Sequence, residues 1–253
     1  MAMIVKEYGK QNAETIILLH GGGLSWWNYR EEAALLQDHF HIVVPILDGH
    51  SGSDRSFTSI EANAQEICSY IDANCGGHVL AIGGLSLGAQ ITLEILSQRP
   101  DVCRVSLLES ALAIPMKLTA RMILSSIHMS YGLIQKQWFA RLQFKELRIK
   151  PELFEDYYRD SCSIRKEDYI AFLKSNSTYE PKDSLRGAKA GALIVAGEKE
   201  RKKILDSAKL LHKMIPNSEK KLLPGYYHGD LSINHPEQYV QVLLGLIASA
   251  RDF

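Results

Sequence analysis

The chain has 253 residues and 46% of them are apolar. This fits one large domain, or one domain with an insertion, and excludes a disordered composition. Its 29 acidic and 29 basic residues cancel to a net charge of zero, so the charge balance gives no footprint for nucleic acid or an anionic membrane.

Residues 1–8 show no basic start, apolar run and small-residue cleavage site. No secretory leader is expected there, and a cytoplasmic location is the corresponding expectation. Residues 4–8 read as an antiparallel edge strand. Residues 16–19 are a short apolar run ending at a glycine run, and read as a strand. A helix is expected over 28–38, a strand over 41–45, a turn-rich stretch over 48–54 and a helix over 60–73. Strands follow over 79–83 and 102–108, with a helix over 89–96 between them. After a long interval come a strand over 192–196, a helix over 201–214, a strand over 220–223 and a closing helix over 236–250. Apolar runs separated by helices predict an α/β fold, with a mostly parallel sheet covered by helices on both faces.

The alternation stops between residues 111 and 190. The expected division is therefore a core made of 1–110 and 191–253, with a helical cap over 111–190. Ile134, Trp138 and Leu142 lie four apart, as on one helical face. The block holds 10 of the 21 aromatic residues. A cap roofing an apolar substrate chamber is expected from this, although small inserted helices also need bulky side chains to pack. Pro115, Lys117, Arg121 and Gly132 interrupt the apolar stretch 111–134 too often for a membrane span. Cys68, Cys75, Cys103 and Cys162 have no CxxC spacing, so reduced thiols and no metal site are expected.

Ser86 carries the chemistry. It lies in Gly84-Leu85-Ser86-Leu87-Gly88, between an apolar strand and a helix, where a tight turn presents a hydroxyl as a nucleophile. Such a hydroxyl needs a base, a group that orients the base, and donors for the oxyanion. His228, in a Pro- and Gly-containing loop after the strand 220–223, is the candidate base. His39, His41, His50, His128 and His212 sit in settings that suit structural or surface roles better. Glu200, just after the strand 192–196, is the candidate acid. Glu109, at the end of the strand 102–108, is the alternative acid, with Glu198 and Asp206 less well placed. Oxyanion donors are expected from His20-Gly21-Gly22-Gly23 and from the backbone N–H of Leu87 at a helix start. Trp26 and Trp27 either edge the site or anchor the first helix.

The succession of His-Gly-Gly-Gly, Asp48-Gly49-His50-Ser51-Gly52-Ser53, Gly-x-Ser-x-Gly, Gly197-Glu198-Lys199-Glu200, Tyr227-His228-Gly229 and His235-Pro236-Glu237 resembles the α/β-hydrolase superfamily over nearly the whole chain. The resemblance implies an eight-stranded, mostly parallel sheet and a Ser–acid–His triad in that chain order. Carried over by motif, Ser86 matches the nucleophile, His228 the base, Glu200 the acid, and Gly22 with Leu87 the oxyanion donors. The acid position usually carries Asp, and here it carries Glu. The turn after the third strand usually reads Asp-x-Pro-Gly-His-Gly, and here it lacks the proline. The expected function is a serine hydrolase of small carboxylic esters or related acyl compounds. It would need no cofactor or metal and would act on a small, apolar acyl substrate. Carbon–carbon bond hydrolysis, a lyase reaction and a non-catalytic receptor role are the alternatives on the same fold.

Overall fold

A computed structural model describes residues 3–250 of the protein. Residues 1–2 and 251–253, at the outer ends of the two expected core segments, lie outside the described residues. In chain order the core elements are β1 (Val5–Tyr8), β2 (Thr15–Leu19), α1 (Arg30–Leu36), β3 (His41–Pro45), α2 (Ile60–Asn74), β4 (Val79–Leu85), α3 (Leu87–Gln98) and β5 (Cys103–Glu109). Four helices follow: α4 (Lys117–Ile134), α5 (Gln137–Leu147), α6 (Phe154–Ser163) and α7 (Lys166–Thr178). The core then resumes with β6 (Gly191–Gly197), α8 (Lys202–Met214), β7 (Ser218–Leu223), α9 (Asp230–Asn234) and α10 (Pro236–Ser249).

The strands form one sheet in the order β1-β3-β2-β4-β5-β6-β7. β1 runs antiparallel to β3, with Val5 opposite Pro45, and every other pair is parallel. The described residues supply seven strands, not the eight that the resemblance implies. The link from β1 to β2 is a tight turn closed by the Asn12 N–H on the Gly9 carbonyl at 3.0 Å, which leaves no length for another strand.

Successive side chains of a strand point to opposite faces, and β2 shows the result. Ile16 and Leu18 enter the apolar layer shared with α1 and α10, while Ile17 and Leu19 enter the layer shared with α2, α3 and α8. All four are fully buried, each contributing about 1.5–3 kcal/mol of transfer free energy. Burial on both faces explains why the strands read as unbroken apolar runs. Parallel pairing brings the C-terminal ends of β2, β4, β5, β6 and β7 to one rim, where His20, Ser86, Ser110, Glu200 and His228 follow them.

The helical block α4–α7 is fastened to the core through two buried carboxylates. Asp160 on α6 accepts the Trp27 Nε1–H at 2.8 Å and the Ser51 hydroxyl at 2.9 Å. Asp168 on α7 accepts the Phe57 backbone N–H at 2.9 Å and Arg165 Nε–H at 2.7 Å. Trp27 is therefore an anchor. Trp26 is half-buried beneath the cations of Lys6 and Arg30.

The expected Ile134–Trp138–Leu142 stripe does not form. Gln135 and Lys136 separate α4 from α5, so Ile134 is buried while Trp138 and Leu142 remain 58% and 56% exposed. Within the block the aromatic rings pack on one another, as in Phe144 against Phe154 and Tyr157, and Tyr169 against Phe172. Among the described residues no helix is long and apolar enough to cross a membrane. The four cysteines are unpaired, and among the described residues no cluster of three or more His, Cys, Asp or Glu residues that could hold a metal is found.

Candidate active site

Ser86 joins β4 to α3 with φ 53° and ψ −106°, a left-handed conformation that is unfavourable for a residue with a side chain. The turn is held by the Ser86 N–H on the Glu109 carbonyl at 2.9 Å. It closes only because the flanking glycines carry no Cβ. A Cβ on Gly84 would lie 2.5 Å from the Gly88 backbone, and one on Gly88 would lie 2.0 Å from the Leu19 carbonyl oxygen.

His228 Nε2 stands 3.1 Å from Ser86 Oγ, and its Nδ1 stands 2.8 Å from Glu200 Oε2. The Glu200 carboxylate is fully shielded from solvent, whereas the imidazole is half-exposed. Its other oxygen, Oε1, accepts the Gly197 N–H at 3.0 Å and the Ser110 hydroxyl at 2.7 Å. A buried carboxylate with both oxygens engaged keeps a fixed orientation, and here one oxygen is left for the Nδ1–H of His228. The extra methylene of Glu relative to Asp is taken up because Glu200 lies three residues beyond β6, at the end of a turn closed on Gly197.

Ser110 is not among the residues that the sequence motifs single out. It follows β5 with φ 57°. Besides donating to Glu200, its hydroxyl accepts the Gly229 N–H at 3.1 Å, so one side chain ties Glu200 to the histidine loop. The available signal is a Glu-Ser pair directly after the apolar Leu107-Leu108 at the end of β5.

Glu109, the alternative acid, does not meet His228. Its carboxylate accepts the backbone N–H groups of Leu231 and Ser232 at 3.0–3.3 Å and holds the start of α9, just after the histidine loop. Burial pushes its pKa up to about 7, against the opposing effect of the Ser232 hydrogen bonds. Glu198 accepts the Gly225 N–H at 2.9 Å, and Asp206 pairs with Lys209 on the surface of α8. Neither reaches the histidine.

At the expected oxyanion loop, the Gly21 N–H is engaged by Asn28 Oδ1 at 3.2 Å. Gly22 is exposed, and a Cβ there would touch Leu87 Cδ2 and the Phe172 ring at 3.5 Å. Leu87 is the first residue of α3, where no intrahelical carbonyl is available to its N–H. His20 holds the loop from beneath. Its Nδ1–H donates to the Gly21 carbonyl at 2.9 Å, and its Nε2 accepts the Leu47 N–H at 3.2 Å. Burial, with a smaller push from the His50 ring, lowers its pKa to about 3, so it stays neutral. His50 stacks on it edge-on at 5.0 Å and has a structural role, as do His41 on Glu7 and His212 on Ser218. His128 is exposed beside Lys166.

A cavity of about 350 Å³ opens over Ser86 and His228. Aliphatic side chains of Leu112, Met116, Leu147 and Ile204 and the cations Arg148, Lys199, Arg201 and Lys203 are among its lining. None of the ten aromatic residues of the helical block lines it. The expected apolar chamber is thus only partly apolar: its lining combines aliphatic side chains with cations. A larger hollow of about 800 Å³ lies at the opposite, N-terminal ends of β4 to β7, by His78, Arg104 and Asn217, and is not lined by Ser86 or His228.

Residues 16–242 match the alpha/beta hydrolase family. The chain belongs to that family. An alpha/beta hydrolase superfamily protein of Gibberella zeae is 29% identical over 136 residues, which is 53% of this chain and 47% of that protein. The chain thus matches about half the length of its curated relative. An esterase from Exiguobacterium antarcticum superposes with a TM-score of 0.82 at 16% identity, covering 97% of this hydrolase chain and 95% of the esterase. The enol-lactonase from Burkholderia xenovorans LB400 gives 0.81 at 14% identity, covering 97% and 96%. At these identities the likeness is one of fold.

Proposed function

We propose that this alpha/beta hydrolase is a serine hydrolase that cleaves small carboxylic esters or related acyl compounds through Ser86, His228 and Glu200. The observation that carries the reading is the continuous contact Ser86 Oγ to His228 Nε2 to His228 Nδ1 to Glu200 Oε2. Ser86 Oγ attacks the substrate carbonyl carbon while its proton passes to His228 Nε2. The N–H groups of Gly22 and Leu87 receive the oxyanion. Collapse of the tetrahedral species breaks the bond to the leaving alcohol, which takes the proton from His228 and departs, leaving an acyl-enzyme. Water then gives a proton to His228 and attacks the acyl carbon, and the returning proton restores Ser86. Glu200 fixes the tautomer and stabilises the imidazolium. Residues 111–190 act as the cap over residues 1–110 and 191–253, and the volume over Ser86 suits a small substrate. Neighbours named as an esterase and an enol-lactonase are consistent with acyl chemistry.

The test is turnover of 4-nitrophenyl acetate and butyrate, together with covalent labelling by a fluorophosphonate. Ser86→Ala is expected to abolish labelling and to lower kcat by about ten-thousandfold or more. A wild-type protein that neither labels nor turns over these esters would overturn the reading in favour of a receptor role.

A further inference from the structure

The lining of the Ser86 cavity is rich in cations, whereas the chain as a whole is neutral. Arg148, Lys199, Arg201 and Lys203 line the cavity, against the two carboxylates Glu146 and Glu200. Glu200 is already committed to His228, Ser110 and Gly197. Elsewhere some cations, such as Arg30, Arg99, Lys150, Arg165 and Lys182, have carboxylate partners within 3.0 Å, and surface cations such as Lys117, Arg121 and Lys174 lack an ion pair among the described residues. None of the four cavity cations has one among the described residues.

Two of them are placed at some cost. Arg201 precedes α8, and Lys202 and Lys203 open it; the first turn holds no acidic residue. A helix start carries positive partial charge and ordinarily favours Asp or Glu, so three successive cations there oppose the stability of the isolated chain. Arg148 is fixed by its surroundings. Its backbone is left-handed, at φ 55°, and its carbonyl accepts Asn234 Nδ2–H at 2.9 Å. Its guanidinium lies 3.8 Å from the centre of the Tyr227 ring, next to His228. A stacked guanidinium keeps its in-plane N–H groups available for a flat anion.

We propose that the substrate carries a carboxylate in addition to the ester or acyl group cut at Ser86. The aliphatic side chains of Leu112, Met116, Leu147 and Ile204 take the short methylene chain between the two, and Arg148, Arg201, Lys203 and Lys199 receive the charge. The proposal rests on the serine hydrolase reading and adds to it a class of substrate: half-esters of small dicarboxylic acids and compounds of that chemistry.

The experiment compares kcat/KM, by pH-stat, for monomethyl succinate, glutarate and adipate with that for the neutral methyl butyrate. The best half-ester is expected to exceed methyl butyrate by about tenfold or more. That advantage should shrink as salt rises from about 0.02 to about 0.5 M, because exposed charges are screened over that range. Combined Arg201→Glu and Lys203→Glu substitutions are expected to lower the half-ester to neutral-ester ratio by about tenfold or more, which is about 1.4 kcal/mol. Both positions are exposed and acids suit a helix start, so the variant folds. A wild-type ratio at or below one, or a ratio the double variant leaves unchanged, overturns the proposal.

Calorimetry on Ser86→Ala with the same half-esters keeps the two readings apart. Binding that the charge reversal weakens about tenfold supports the anion site whether or not the wild type turns over. The absence of binding heat overturns the anion site even where Ser86 is labelled by fluorophosphonate.

Discussion

The rim of the sheet and the helical block beside it are built by opposite means. At the rim, Ser86, Ser110, Glu200 and His228 sit within a few residues of strand ends, and main-chain hydrogen bonds from Gly197, Gly229, Leu231 and Ser232 fix the carboxylates and hydroxyl around them. In α4 and α5, large apolar side chains face solvent; Met129 is 83% exposed and Leu118 72%. Positions set by backbone at strand ends hold their side-chain atoms to a fraction of an ångström. Positions set by side chains on surface helices can change without disturbing those atoms, which is where selectivity between substrates is free to vary.

The contrast within the rim itself is sharpest between its two buried glutamates. Glu200→Gln is expected to lower kcat for 4-nitrophenyl butyrate by about a thousandfold or more, because an amide beside Nδ1 no longer enforces the required tautomer. Glu109→Gln keeps an acceptor for the Leu231 and Ser232 N–H groups and should change kcat by less than about tenfold. Equal losses, or the reverse ranking, would move the acid role to Glu109.

The elbow offers the next largest effect. Gly88→Ala drives a methyl into the Leu19 carbonyl and is expected to cost about 3 kcal/mol or more in urea unfolding, with loss of fluorophosphonate labelling. Unchanged stability would mean that the turn has room the geometry denies.

A smaller effect tests what burial does to Glu109. Its folded pKa, about 7, lies above the ordinary value of 4.5, so between those values the folded state holds a proton that the unfolded state releases. Its contribution is therefore most favourable below about pH 4.5 and declines as pH rises to about 7, by at most about 3 kcal/mol. His20 and His50, lowered mainly by burial to about 3 and about 4, act in the opposite sense and cost stability as pH falls below about 6.5. Subtracting Glu109→Gln from wild type in unfolding measured at several pH values isolates the first slope. A difference that does not vary with pH would show Glu109 to be ionised throughout.

At the small end, Met129→Gln on the outer face of α4 should shift unfolding free energy by less than about 0.5 kcal/mol. A large loss there would show that the face is covered in solution and would narrow the contrast between the two regions.

What could be read from the sequence follows the same division. Strands such as 16–19, 79–83 and 192–196 are buried on both faces, so their apolar runs reveal them directly. Ser86 and His228 were legible because glycines and strand ends flank them. The sequence favours Glu200 over Glu109, but both end strands, and the meeting of β5, β6 and the histidine loop is what puts Glu200 on Nδ1. Ser110 was hidden because its left-handed backbone is not written in a residue type. In the block, a four-residue spacing across Ile134 and Trp138 suggested a common face, but the turn at Gln135 cancels it. The aromatic content signalled packing, and the charges beside Glu200, which in sequence look like an ordinary solvated helix start, turned out to border the cavity.

The two carboxylates Asp160 and Asp168 have a consequence for traffic into the cavity. Trp27, Ser51 and the Phe57 amide rivet α6 and α7 to the scaffold through them, so swinging this half outward would strip buried anions of their donors. Reactants therefore come and go without this half moving aside, past the end of α5 at Leu147 and Arg148 that borders the cavity, rather than through a hinged roof.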